Sequence, residues 1–270
     1  MGYVRFRAWR RSSGSCSSCV GDGAVEQELG GERVSPPKEE QLPRGNRLLD
    51  ALPDEELERL RPHLESVSLG LKDVLVEPDE PIEHVYFPIN GACSMIATMK
   101  DGQEVEVGTI GNEGMLGLPV FLERETVPLR TISQVPGEAV RMRSEALRRE
   151  VRPGDRLHRL LHRYTEATLV FAAQSSACNR LHSVEQRASR WLLHTHDRVG
   201  KDEFPLTQVF LAQMLGVRRA SVSEVASALQ KQGSISYSRG LIKILDRPGL
   251  EAKSCECYDV IRAEFNRLPG

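Results

Sequence analysis

Between Thr207 and Lys231 the chain gathers side chains able to read a nucleic acid. Arg218, Arg219, Ala220, Ser221, Ser223 and Glu224 fall together, with Thr207 ahead of them and Arg239 and Lys243 behind. Arginine can pair with guanine in bidentate fashion, serine hydroxyls reach phosphates or base edges, and glutamate can accept from cytosine. Such chemistry needs one exposed helix face held over a packed one. Leu211, Met214 and Leu215 mark a first short apolar face, and Val222, Val225 and Leu229 mark a second. Gly216 supplies a tight turn between them, and Ala212 is small where the two helices should cross. The spacing predicts a helix-turn-helix. Residues 235–237 and 241–244, around Ser238-Arg239-Gly240, predict a two-stranded wing with Arg239 and Lys243 placed for backbone phosphates. The competing reading is a helical hairpin with a merely solvated face. The turn glycine, Ala212 and the basic wing weigh against it.

Charge supports that placement. Residues 46–150 hold 11 Lys/Arg against 20 Asp/Glu, a net of −9, whereas residues 183–247 hold 10 against 6, a net of +4. An acidic half joined to a basic half implies that only the second half meets a polyanion. At 270 residues, 40% hydrophobic and 27% charged, the chain has room for about two domains. That composition excludes a wholly disordered, collagen-like or membrane-embedded protein. The most apolar stretch, near 157–178, is broken by His162, Arg163 and Glu166, so no membrane partner is expected. Six cysteines are too few for a disulfide scaffold. Arg5, Arg7, Arg10 and Arg11 are followed by Ser, Gly and Cys where a secretion signal needs an apolar core. A cytoplasmic protein with reduced thiols is expected.

The elements ahead of the motif fall into three parts. Residues 1–45, rich in Gly, Ser and Pro without apolar periodicity, predict a disordered extension with a short fluctuating helix around 25–29. Residues 46–150 open on a short acidic-capped helix ending near Leu64 and continue as short strands punctuated by Gly and Pro. Asp101-Gly102 reads as a hairpin turn, and the alternation from Gln103 to Val107 predicts solvated acids with Val105 and Val107 buried. A β sandwich, barrel or jelly roll is expected.

From 151 to 182 the period changes. Leu157, Leu161, Tyr164, Thr168, Phe171, Ser175 and Cys178 step by fours and threes, a heptad seam. A second stripe of Leu160, Ala167 and Val170 could pack on the preceding β domain, the expected sensor, which leaves the seam for a second subunit; packing of the seam on its own domain is the alternative. Ser183 and Gln186 have capping-box spacing, and Gly200 sits where a helix C-cap belongs.

Sandwich, long helix and winged helix-turn-helix, in that order, resemble the Crp/Fnr superfamily of bacterial transcription regulators. The resemblance spans roughly 46–250 and is most specific in Leu211-Ala-Gln-Met-Leu-Gly-Val-Arg-Arg-Ala-Ser-Val-Ser and Leu229-Gln-Lys-Gln-Gly-Ser-Ile. Val105-Glu-Val-Gly-Thr-Ile-Gly-Asn-Glu-Gly-Met-Leu-Gly and Glu83-His-Val-Tyr-Phe-Pro-Ile-Asn-Gly-Ala support it. It implies an α+β, two-domain chain: an N-terminal cyclic-nucleotide-binding-like jelly roll (46–150), a long dimerisation helix (151–182), a winged helix-turn-helix (183–250) and a C-terminal tail (251–270). It also implies a homodimer on double-stranded DNA, with RNA polymerase as a partner if the protein activates. An effector pocket would involve Gly111, Gly114, Gly117, Arg130 and Thr131.

Departures from the family pattern narrow this. Relatives that bind cyclic nucleotides hold the ribose with a Glu and the phosphate with an Arg-Ser/Thr-Ala step; those positions fall here at Leu116 and at Val127-Pro128. Arg130-Thr131-Ile132 is a partial echo three residues late. A cyclic nucleotide is therefore not expected. In the recognition helix, Arg219 keeps the position of a guanine contact, while Ala220 and Glu224 differ in type from the activator pattern, so a different half-site is expected. The iron–sulfur branch needs more N-terminal cysteines than Cys16 and Cys19, so no cluster is expected either. Cys255 and Cys257 form a C-x-C without evident further ligands, Cys178 reads as a small buried hydrophobe, and His158 and His162 lack a third ligand. No metal and no catalytic constellation is expected. The rival from another class is a jelly-roll small-molecule sensor acting through protein partners.

Overall fold

Polar capping and apolar spacing set the element boundaries from Asn46 onward. The structure, a computed structural model, describes residues 44–268. The expected disordered extension up to residue 43, its short helix and the Cys16/Cys19 pair lie outside the described residues. Asn46 caps α1 (Arg47–Asp50): its side-chain oxygen accepts from the Leu48 and Leu49 amides, and its Nδ2 donates to the carbonyls of Pro88 and Gly114. Three acids open α2 (Asp54–Leu60), where the helix dipole favours them, and a 3-10 turn at Arg61–His63 completes it.

The sensor then runs β1 (Glu65–Leu69), β2 (Val74–Val76), β3 (His84–Pro88), β4 (Ala92–Thr98), β5 (Glu104–Ile110), α3 (Leu118–Phe121), β6 (Arg130–Val135), β7 (Gly137–Arg143) and α4 (Ser144–Glu150). One antiparallel sheet has the order β1-β7-β3 and the other β2-β6-β4-β5. Consecutive strands β6 and β7 thus lie in opposite sheets, which closes a sandwich of jelly-roll type. Leu69, Tyr86, Cys93, Ile110, Leu116 and Ala139 fill a cluster fed by both sheets.

One expectation for β5 is overturned. Val107 is the unpaired residue of a β-bulge, since Met95 pairs with Gly108 and Ile96 with Glu106. The bulge re-aims the strand. Val107 is exposed, and the Glu106 carboxylate accepts hydrogen bonds from Ser94 and Thr109.

α5 (Arg156–Leu181) is the long helix, and here the assignment of the seam is corrected. Leu157, Leu161, Tyr164, Phe171 and Cys178 are buried within a single chain, as are Leu160 and Ala167. Thr168 is half-buried with its hydroxyl on the Tyr164 carbonyl, and Ser175 is half-buried. Periodicity identified which residues share a face; the cover over that face is the chain's own sensor and C-terminus. Besides charged and polar positions such as Arg163, Glu166 and Arg180, α5 leaves exposed a strip of Leu169, Ala172, Ala173, Ser176 and Ala177, with Leu169 66% exposed.

The remaining elements are α6 (Val184–Val199), β8 (Glu203–Pro205), α7 (Gln208–Leu215), α8 (Arg219–Lys231), β9 (Ile235–Ser238), β10 (Leu241–Ile244), α9 (Arg247–Lys253) and α10 (Cys257–Asn266). The Ser183/Gln186 capping box and the left-handed Gly200 cap of α6 form as the sequence predicts. The segment expected as a tail instead holds α10. Its Ile261 and Phe265, with Leu268 just beyond, join the sensor core, and Phe265 lies 6.2 Å from the rings of both Tyr164 and Phe171. Burying each such side chain contributes about 1.5–3 kcal/mol.

Candidate nucleic-acid interface

Thr207 opens α7 as its N-cap, its hydroxyl accepting from the Phe210 amide at 3.1 Å. Gly216 ends the helix at φ +62°, a left-handed conformation that a side chain would strain. α8 then turns Val222, Ala226 and Leu229 inward against Leu211, Ala212, Met214 and Leu215. The outward positions carry Arg218, the N-cap, together with Arg219, Ala220 and Glu224, all exposed. Ser221 is half-buried. Ser223 is also half-buried, and its hydroxyl lies 2.7 Å from Gln208 Oε1, bonded inside the helix pair.

The wing pairs β9 with β10, and β8, which the sequence reading missed, adds a third strand beside β10. Tyr237 braces the wing by donating to the Leu206 carbonyl at 3.0 Å. Arg239 sits exposed at the hairpin tip with φ +50°, and Lys243 is exposed on β10. The structure therefore brings Thr207, Arg218, Arg219, Ala220, Glu224, Arg239 and Lys243 to the exposed surface of one winged helix-turn-helix.

The residues expected to line an effector pocket are engaged by the chain's own side chains. A Cβ on Gly111 would lie 2.4 Å from Arg198 Cγ, and one on Gly114 would lie 2.3 Å from the Tyr164 ring. These glycines are close-packing positions for the chain's own side chains. Gly117 caps α3 at φ +85°. Arg130 is held by Glu77 at 3.1 Å and Glu104 at 3.7 Å, and Thr131 is buried on β6.

The reading head is instead keyed to the sensor through carboxylates of and beside β5. Trp191 Nε1 donates to Glu106 Oε1 at 2.8 Å, Gln213 donates to Glu104, and Arg198 Nε donates to Glu113 Oε1 at 2.8 Å. Burial pushes the Glu106 carboxyl above the usual carboxylate range, and its bonds from Ser94, Trp191 and Thr109 counter part of that rise. A cavity of about 260 Å³ lies at this junction, between β5, α5, α6 and α7. Ser175, Arg190 and His194 are on its wall, and each has a buried side-chain atom with no hydrogen bond inside the protein. Nothing in the local sequence marks it, because its walls come from both domains.

A β-sandwich sensor joined by one long helix to a winged helix-turn-helix defines a sensor-coupled DNA-binding regulator. Family models agree: a cyclic nucleotide-binding domain matches residues 67–152 and a Crp-like helix-turn-helix domain matches residues 186–253. The chain belongs to the Crp/Fnr superfamily and is a DNA-binding transcription regulator. Among solved structures it is similar to FixK2 from Bradyrhizobium japonicum, at 18% identity over 71% of this chain and 98% of that one, with a TM-score of 0.61. It is also similar to CLP, a c-di-GMP-responsive global regulator from Xanthomonas campestris, at 18% identity over 70% and 98% of the two chains, TM-score 0.57. A CRP/FNR-family transcriptional regulator from Thermus thermophilus shares 19% identity over 70% and 98%, TM-score 0.55. At such identities the likeness is one of fold. No curated protein matches the chain.

Proposed function

We propose that the protein works as a cytoplasmic homodimer on a pseudo-palindromic operator, with α8 of each protomer entering successive turns of the major groove about 34 Å apart. The observation that carries this reading is the division of α8: an apolar stripe packed inward, and Arg218, Arg219 and Glu224 exposed beside the basic wing. Arg219 is assigned a guanine, and Arg239 and Lys243 are assigned phosphates. Leu169, Ala172, Ala173, Ser176 and Ala177, the exposed strip of α5, supply the two-fold contact, since small residues let helices approach closely. Among the described residues no helix is long and apolar enough to cross a membrane.

The effector is not a cyclic nucleotide in this reading. Leu116 is buried where the ribose anchor would stand, and Arg130 is already engaged by two glutamates. The protein acts without catalysis, and through RNA polymerase where it activates. Selection of bound sequences from random DNA by the purified protein tests this. The expected result is an inverted repeat with half-sites one helical turn apart. Enrichment of no sequence, together with a strict monomer at micromolar concentration, would favour a sensor that acts through protein partners.

A further inference from the structure

Three of the six cysteines meet at the joint between the long helix and the C-terminal segment. Cys178 and His182 stand one helical turn apart at the end of α5, so their side chains project from the same face. Cys255 lies in the break between α9 and α10, and Cys257 opens α10. Cys178 Sγ lies 3.5 Å from Cys255 Sγ, and Cys257 Sγ lies 3.5 Å from His182 Nδ1. All four donor atoms fall within 4.8 Å of one another, and all three sulfurs belong to buried residues.

From these distances we propose that Cys178, His182, Cys255 and Cys257 form a structural site for a single zinc ion. Zinc–sulfur bonds of about 2.3 Å and zinc–nitrogen bonds of about 2.0–2.1 Å in a tetrahedron give S···S edges of about 3.8 Å and S···N edges of about 3.5 Å. The donors already stand near that spacing. A disulfide needs its sulfurs about 2.05 Å apart, which the Cys178–Cys255 pair does not approach. A multi-iron cluster needs its ligands spread around several metal atoms, and these four converge on one point.

The surrounding residues carry the second line of evidence. A ligating histidine commonly donates its other ring N–H to a carboxylate, which fixes the tautomer and raises ligand basicity. His182 Nε2 lies 3.3 Å from Glu256 Oε2, while Nδ1 faces the sulfurs. Gln174 Nε2 donates to Cys257 Sγ at 3.1 Å, a bond suited to a thiolate. Binding would expel three thiol protons to solvent and leave the three thiolates and neutral imidazole around the divalent ion. The ion would pin α10 to α5 and so tie the reading head's last helices to the rod that leads from the sensor.

The test is elemental analysis of the full chain purified without added metal, followed by removal and return of the ion. About one equivalent of zinc per chain is expected, and the metal-free protein should take up cobalt with the visible spectrum of a tetrahedral, thiolate-rich centre. Cys257→Ser and Cys255→Ser should lose the ion, whereas Cys93→Ser, whose thiol is buried in the sandwich, should keep it. Glu256→Gln should keep the stoichiometry and weaken zinc affinity about 10–100-fold. Wild-type protein that carries no metal and takes up neither zinc nor cobalt overturns the proposal. So does iron with sulfide in stoichiometric amounts, or a Cys178–Cys255 disulfide in the native protein.

Discussion

Arg198 of the reading head and Glu113 of the sensor form an ion pair at 2.8 Å with both side chains nearly out of water, 5% and 7% exposed. Arg198 also lies over Gly111, where no other residue leaves room for it, so the loop glycine and the helix arginine specify each other. Removing one member of a buried pair strands the other charge, at a cost of about 3–5 kcal/mol. Glu113→Gln should therefore lower stability by about that amount in urea unfolding. Replacing both members with apolar residues of similar volume should recover much of the loss. A deficit under about 1 kcal/mol for Glu113→Gln would mean that the pair is solvated.

Leu169 and Phe171 are two residues apart on α5 and face opposite ways, one exposed and the other in the core shared with α10. Their substitutions should separate assembly from folding. Leu169→Glu places a charge on the strip assigned to the two-fold contact and should shift sedimentation toward monomer with little change in thermal midpoint. Phe171→Ala should cost about 3–5 kcal/mol of stability. If Leu169→Glu leaves the dimer intact at low micromolar concentration, the contact lies elsewhere.

The helix-turn-helix was legible because its signals are local. Gly216, the Leu211/Met214/Leu215 face, the Ser183/Gln186 capping box and Gly200 act within a few residues of their effects, and each forms as the spacing predicts. What stayed hidden depends on distant partners. The α5 heptad showed which residues share a face, but its cover is the sensor together with α10, the latter from a segment read as a tail. The Glu106 register depends on a bulge opposite β4 and on Trp191 from the other domain. The glycines read as an effector pocket are filled by Arg198 and Tyr164. The C-x-C motif lacked ligands in its own neighbourhood because Cys178 and His182 reach it across 77 and 75 positions of chain.

Arg219 and Arg239 are both exposed, one on α8 and one at the wing tip, and their loss should be distinguishable on DNA. Arg219→Ala should cost about 1–3 kcal/mol of binding and relax preference at one base position. Arg239→Ala should weaken binding to all sequences alike and reduce the slope of affinity against salt by about one phosphate contact. Binding titrations across salt concentrations, on the selected operator and on its single-base variants, measure both. Equal losses on every sequence for Arg219→Ala would remove it from base reading.

His194 packs between the rings of Phe171 and Tyr258, with centroids 6.5 Å and 5.0 Å away. Burial, and after it the positive charge of Arg198 and Arg190, hold its pKa well below the ordinary 6.5. In the unfolded chain the imidazole takes up a proton as pH falls through about 6.5, whereas in the folded chain it stays neutral. The unfolded state then binds more protons, so this residue's contribution to stability is complete above that pH and is lost below it. The slope from one such group approaches about 1.4 kcal/mol per pH unit. Urea midpoints should fall between about pH 7 and pH 5.5 for the wild type, and fall less steeply for His194→Phe, which keeps an aromatic ring in the site. Two parallel profiles would show that His194 is protonated equally in both states, and would remove it from the acid sensitivity of the fold.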